Sequence, residues 1–526
     1  MNFTPNPSKT PDVVQKTTVS YTSRDTLFAY LCIPVCYLFV KSTPIASSAL
    51  GTLLSFLIAL AFTVTYLFLC KKRPSLVAYV TGGVTVLLCI GFLTNASAGL
   101  RALLSLYLML LLLVFVYTCC EKDIFGTLPK HPLQRLADGI ILAPLNSLTT
   151  NFAVYVPQKD GKKSRILPIL GWCAVGLVGA IIPTLIVAGL LSYDEQFTKL
   201  LDHLFSFSPE KVFEFIGDII LSLLLGAVLF AVLFSNATAD QKQPDSAEAS
   251  KKSACGFSLR IFPKPLVAAF LTPILLLYVL FFVSQWSYYV SAFTHVLPNG
   301  LTYAQYAREG FFQLCAVSLF NALLLLLLQC FMHRADGEKG VLRCVYATII
   351  SIFTLILITT ALSKLILYID AYGMTQARVL AAWAILLLAV IFILSLIHVF
   401  YKKFPLLVAI LLTCVLFSLI LFLPNINGIV ADYNVDAYLS GDLSSVDVDA
   451  LCDLDYAAVP ALSRLEEHLL AKGKLDENTA LLLEATTAQL NRLAEQSAKE
   501  AYGLFDWNIP TWQAKRILEE RNIRGE

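Results

Sequence analysis

Runs of about 20 apolar residues, divided by short polar breaks, recur along the chain from residue 26 to residue 424. A helix of that length crosses a hydrocarbon core of about 30 Å. Inside such a core the backbone must satisfy its own hydrogen bonds, so helix is the expected element. The pattern predicts eleven spans, at 26–41, 45–70, 75–94, 98–120, 166–192, 213–234, 265–291, 309–331, 342–366, 378–400 and 404–424. The expected fold is all-α: a polytopic transmembrane helix bundle with a small helical C-terminal tail outside the membrane. The domain plan is a polar N-terminus (1–25), a four-span bundle (26–120), a cytoplasmic or interfacial segment (121–165), a seven-span core (166–424) and the tail (425–526). Residues 1–25 lack the layout of a signal peptide, so the first span is expected to be retained.

Outside the spans the pattern changes character. Leu133–Val156 is semi-apolar and fits a short helix lying along the interface. Asn236–Lys264 is polar, begins without aromatics, and reads as a linker. The tail regains helical spacing over Val446–Leu470, Asp476–Ala501 and Pro510–Glu520. Leu462, Leu465 and Leu469, then Leu481, Leu483, Leu490 and Leu493, would form its apolar faces. Asp476 suits a helix N-cap, and Pro510 a first helical position.

Composition agrees: 57% of residues are hydrophobic and 14% charged, an imbalance that a water-soluble domain could not bury. A net charge of +2 argues against a nucleic-acid partner and leaves membrane lipids as the first one. The distribution of Lys and Arg is more informative. The N-terminus and alternate loops carry 23 of them; the opposite loops, tail excluded, carry seven. The basic side is the cytoplasmic one. An odd span count then places the acidic tail, with 18 Asp and Glu against nine Lys and Arg, outside the cell. The 13 cysteines fall mostly within apolar runs and form no C-x-x-C pair, as expected of small packing residues.

Motifs with a known mechanism are missing. There is no phosphate-binding loop, no H-E-x-x-H, and no serine-nucleophile elbow, and the six histidines are scattered, so neither a metal nor another cofactor is expected. Within the spans, Glu214, Asp218, Lys364 and His398 are candidate functional charges, each close enough to an interface to be a snorkelling or capping group instead. Pro34, Pro183 and Pro273 each free a backbone carbonyl.

Three polar stretches on the predicted outer side carry the remaining chemistry: LPNGLTYAQYAREGFF (297–312), YIDAYGMTQAR (368–378) and PNINGIVADYNVDAYL (424–439). Together with LDYAAVPAL (454–462) and FDWNIPTWQAKR (505–516), they resemble the landmarks of domain-of-unknown-function family 4173, which is related to family 4153. The resemblance covers about residues 265–516. It implies a bacterial multi-pass membrane protein of the cell envelope and brings no activity with it.

Two readings of these stretches stand side by side. Aromatic belts, turn-forming Asn and Gly, and an Asp370–Arg378 pair would explain them structurally. Alternatively they line a polar, aromatic site on the outer face. Arg308 and Arg378 would then meet a phosphate or carboxylate, Tyr303, Tyr306 and Tyr372 would stack on the ligand, and Glu309, Asp370 and Asp432 would complete the site. The leading expectation is a non-enzymatic envelope sensor or assembly partner that contacts a small external ligand or an envelope protein. The alternative is a secondary transporter or lipid flippase. A membrane-embedded enzyme acting on a lipid-linked substrate, with Glu309 or Asp370 as base, comes third.

Overall fold

The computed structural model describes residues 21–43, 48–72, 74–120, 209–238, 264–284, 311–331, 341–472, 476–499 and 503–524, with six isolated positions between 139 and 154. Among the described residues all regular structure is helical. In chain order the helices are α1 (Ser23–Ser42), α2 (Ala49–Leu69), α3 (Leu76–Cys89), α4 (Gly91–Thr94), α5 (Ala98–Cys120), α6 (Pro209–Ala237), α7 (Lys264–Ser284), α8 (Phe311–Phe331), α9 (Val341–Tyr372), α10 (Gln376–Phe400) and α11 (Leu406–Phe422). The tail adds α12 (Ile426–Ser440), α13 (Val448–Cys452), α14 (Val459–Ala471), α15 (Glu477–Lys499) and α16 (Ile509–Arg524), with 3-10 turns at Asp455–Ala458 and Leu504–Asp506.

Nine candidate spans among the described residues are long and apolar enough to cross a membrane: α1, α2, α3 with α4, and α5 to α10. α11 and α12 together form a tenth candidate, bent by 60°. The expected polytopic bundle is therefore present, and the chain is a membrane-embedded protein. The expected span at 166–192 and most of both the interfacial helix at 133–156 and the 236–264 linker lie outside the described residues.

Two compact units divide the chain. In the first (1–40 and 138–237), α1 and α6 run antiparallel, because Tyr21 meets Phe234 at 5.0 Å between ring centroids while Tyr37 meets Phe215 at 6.4 Å. The second unit holds everything else. There α2, α3 and α5 form one cluster, and α7 to α11 form another, with α3 touching α11. Lipid tails are as apolar as leucine, so close packing rather than water exclusion holds these helices together. The α7–α10 cluster is centred on Ile350, Phe353 and Leu357 of α9, packed against Leu324 and Leu328 of α8 and Phe392 of α10.

Hairpin connectivity fixes two ends of the second unit. Lys71, Lys72, Lys402 and Lys403 lie at one end, where Ser75 caps α3 (Ala78 N–H to Oγ, 3.2 Å) and donates to the Thr118 carbonyl of α5 at 2.9 Å. The tail covers the other end, which holds the start of α2, the α4–α5 turn, the α9–α10 turn and the end of α11.

The tail differs from its expected outline in three places. The residues after Pro424 form the 15-residue helix α12, capped by Asn425, which accepts the Gly428 N–H at 3.1 Å. The periodicity of Val446–Leu470 is broken at Asp455, whose φ of 52° is left-handed, and α14 restarts with Pro460 in its first turn, where a missing N–H costs nothing. Asn508 caps the last helix (Thr511 N–H to Oδ1, 3.0 Å), which makes Pro510 its second residue. Leu462, Leu465, Leu469, Leu490 and Leu493 are buried as expected, whereas Leu481 is exposed and Leu483 half-buried.

Candidate functional site

α9 has 32 residues, about 48 Å of helix, and so outruns a hydrocarbon core of about 30 Å. Its last turns carry Tyr368, Asp370 and Tyr372 on helix, past the predicted end of the span at 366. Gly373 ends it with φ 75°, a left-handed conformation that glycine adopts without strain, and its N–H donates to the Ile369 carbonyl at 2.7 Å. Thr375 then caps α10, accepting the Arg378 N–H at 3.4 Å.

This turn is gripped from the tail. The buried Asn434 of α12 accepts the Met374 N–H at 2.6 Å and donates to the Met374 carbonyl at 2.8 Å. A Cβ at Gly373 would collide with the Asn434 carboxamide oxygen, so glycine is required for the close approach as well as for the φ angle. One carboxamide thus satisfies both main-chain polar groups of a residue that no helix serves.

A second grip joins α4 to the end of α11. Asn95 donates to the Phe422 carbonyl at 2.8 Å and to the Gly91 carbonyl at 3.0 Å. A Cβ on Gly91 would stand 2.6 Å from the Phe422 carbonyl oxygen. Gln376 of α10 reaches Ser97 at 3.3 Å. Asn95 and Asn427, both 2% exposed, each keep a side-chain oxygen without a hydrogen-bond partner among the described residues, and Arg101 of α5 is buried nearby in sequence at 5% exposure.

The candidate ligand residues separate into groups. Tyr303, Tyr306, Arg308 and Glu309 lie outside the described residues. Arg378 turns its guanidinium onto its own turn, donating to the Tyr372 carbonyl at 3.1 Å and to the Gly373 carbonyl, and lies 4.0 Å from the centroid of the Tyr368 ring. It forms no ion pair with Asp370 among the described residues. Tyr372 and Asp370 are exposed, and Asp370 lies close enough to Tyr433 of α12 for its charge to act on the phenol. Asp432 is engaged elsewhere: with Asp436, one turn on, it holds Arg464 of α14 at 2.7 and 3.1 Å. The structure therefore brings Asp370, Tyr372 and Arg378 to one turn and places Asp432 on the tail's own brace.

A polar group that reasoning from charge passes over lies at mid-span between α7, α8 and α9. Tyr278 donates to the Asn321 carboxamide oxygen at 2.6 Å. Asn321 donates to Thr354 at 2.9 Å, and Thr354 to the Ile350 carbonyl at 2.6 Å. A turn or two away, Thr272 and Tyr346 share a hydrogen bond of 2.7 Å, and the fully buried Ser351 hydroxyl has no partner among the described residues. None of these side chains is ionised, which is why a search for charges misses them. The available signal is Asn321 itself, a carboxamide at the centre of a leucine-rich run.

Among the described residues no three His, Cys, Asp or Glu side chains come together as metal ligands, and the ten cysteines whose side chains are described are free thiols, each buried or half-buried. The chain matches the family described as a domain of unknown function (DUF4153) over residues 82–465 and belongs to that family. The resemblance to the related family 4173 is not matched by this finding. No curated protein and no solved structure matches the chain.

Proposed function

We propose that this chain is a non-enzymatic protein of a bacterial cytoplasmic membrane, with its N-terminus inside and its helical tail outside, that senses or assembles with an envelope component through the tail. The observation that carries the reading is the two-way hydrogen bonding of Asn434 to Met374. It makes the turn between α9 and α10 depend on where α12 sits, so a partner that moves the tail acts directly on two helices running to the far side of the bundle. The exposed Asp370 and Tyr372 lie at that junction and are available to a small external ligand or a protein partner. Arg378 contributes by closing the turn; an anion could claim it only by displacing two backbone carbonyls.

The test is complementation of a deletion strain screened against envelope-active compounds. Under this reading Asn434→Ala and removal of residues 426–526 both fail to complement, although the protein still inserts. Full complementation by either one ends the proposal. Reporter fusions after Glu526 check the external tail independently.

The mid-span polar group favours a second reading, a secondary transporter or lipid flippase, because polar groups facing one another within a bundle are where a substrate path would run. That reading requires Asn321→Leu to abolish function while leaving the tail contacts intact.

A further inference from the structure

A groove of about 280 Å3 runs between α2, α3 and α5 at the lysine-bearing end of the second unit. It spans Leu60 to Phe68 on α2 and Ala78 to Val86 on α3, about 12 Å along each helix. Val64, Phe68, Tyr79 and Val86 line it and are themselves 46–77% exposed, so it opens sideways from the bundle along helices apolar enough to span a membrane.

Two adjacent glycines shape the groove, for different reasons. A Cβ on Gly82 would press against the Phe115 ring at 3.0 Å, so this position is kept small by the packing of α3 on α5. A Cβ on Gly83 would meet nothing within 4 Å. No contact demands glycine there, and glycine is a poor helix former. Its effect is to leave space unfilled.

The groove is polar only at one end, where Lys72 lines it and Lys71 stands exposed beside it. Lys402 and Lys403 lie at this same end of the bundle. An apolar slot with Lys72 in its wall and Lys71 next to it in the chain complements a molecule with a hydrocarbon chain and an anionic head. We infer that this groove is a binding site for an anionic phospholipid, one acyl chain lying along Gly83 and the phosphate at Lys71 and Lys72.

The full-length protein, purified in mild detergent and examined by native mass spectrometry, provides the test. Phosphatidylglycerol and phosphatidylcholine with identical chains are the probes. The wild type should hold one phosphatidylglycerol with roughly a thirty-fold preference, the fold-change two lysines give at an anionic headgroup. Gly83→Leu fills the slot and should lose the bound lipid with the thermal midpoint unchanged or raised. Lys71→Gln with Lys72→Gln should keep chain binding and lose the preference. Val64→Trp blocks the slot from α2 and decides the matter should the Gly83 variant fail to fold. Equal binding of the two lipids by the wild type, undiminished phosphatidylglycerol on the filled variants, or an adduct with the mass of a second chain would each overturn the assignment.

Discussion

The tail and the bundle solve the same problem, holding helices together, in opposite ways. In the tail, buried leucines on α14 and α15 supply the adhesion, and the polar element is fully charged. Arg521 of α16 meets Glu466 of α14 through two hydrogen bonds of 3.0 and 2.8 Å, with Asn491 and Thr487 satisfying the remaining groups. Both ions are about 95% buried, so the pair stands only because its geometry and hydrogen bonding are complete. The bundle has no water to exclude from between its helices, and its mid-span contact between α7, α8 and α9 is neutral: Tyr278, Asn321 and Thr354 satisfy one another. Water on one side of a domain makes a charged cross-brace tolerable. Between α7, α8 and α9, at mid-span, the chain uses a carboxamide and hydroxyls instead. The grip of Asn434 on Met374, where the two regions meet, uses the bundle's chemistry.

Breaking the tail's brace should have the largest effect. Arg521→Ala leaves Glu466 buried without its partner, and a destabilisation of about 3–5 kcal/mol is expected. Trypsin should then cut the tail of the full chain in nanodiscs while α9 and α10 stay protected. Glu466→Leu with Arg521→Met should restore resistance. The exposed Arg464 pair is the internal control, with Arg464→Ala costing about 1 kcal/mol or less. Next comes the junction. Asn434→Ala strands the Met374 N–H and carbonyl at a cost of about 1–3 kcal/mol, read as faster hydrogen exchange across residues 369–379 with the brace unaffected. Exchange that instead rises throughout the tail would mean the two regions are one folding unit, and the comparison would fail.

How much of this could be read from sequence followed the same divide. Spans were legible because a 20-residue apolar run has one structural meaning in a bilayer; ten of the eleven expected ones fall within the described residues. The tail's leucine faces were legible from period alone for Leu462, Leu465, Leu469, Leu490 and Leu493, but not for Leu481 and Leu483. The end of α9 was not, because Tyr368 to Tyr372 is polar enough to read as loop, and a helix continuing past the membrane gives no hydropathy signal. Nor was the role of Arg378. Charge suggests a ligand or a partner carboxylate, whereas the backbone carbonyls at the end of a helix are invisible in sequence and compete for the same guanidinium. Asn434 and Asn95 went unassigned for the same reason: each serves main-chain atoms distant in sequence, which no local pattern encodes.

A smaller effect is expected within the bundle. Asn321→Leu removes two neutral hydrogen bonds and adds apolar contact, so a loss of about 1 kcal/mol is anticipated, read as a shift in the thermal midpoint in detergent. Asn321→Asp should do more harm, because a carboxylate at that depth must be neutralised or hydrated. A large loss from the leucine variant, approaching that of Arg521→Ala, would contradict the view that bundle polarity is secondary to packing.

The finest test uses acid, which the two regions should feel differently. Asp476, ahead of α15, accepts a hydrogen bond from the Thr479 hydroxyl, and this bond is the main cause holding its carboxyl below the ordinary value of 3.8. A group more acidic in the folded chain than in the unfolded one favours folding when ionised. Its contribution is complete above 3.8 and is lost as pH falls through the lower native value. Thr479→Val should return the Asp476 midpoint toward 3.8, followed by carboxyl carbon resonances in selectively labelled protein, with a small loss of stability near neutral pH that disappears as pH falls through the native value. The mid-span group of Tyr278, Asn321 and Thr354 carries nothing that titrates in this range. On acidification the tail's exchange protection should therefore fall first, with Asn321 and its neighbours still protected. Simultaneous loss would show that the tail's charges, and not the bundle's packing, keep α9 and α10 in place.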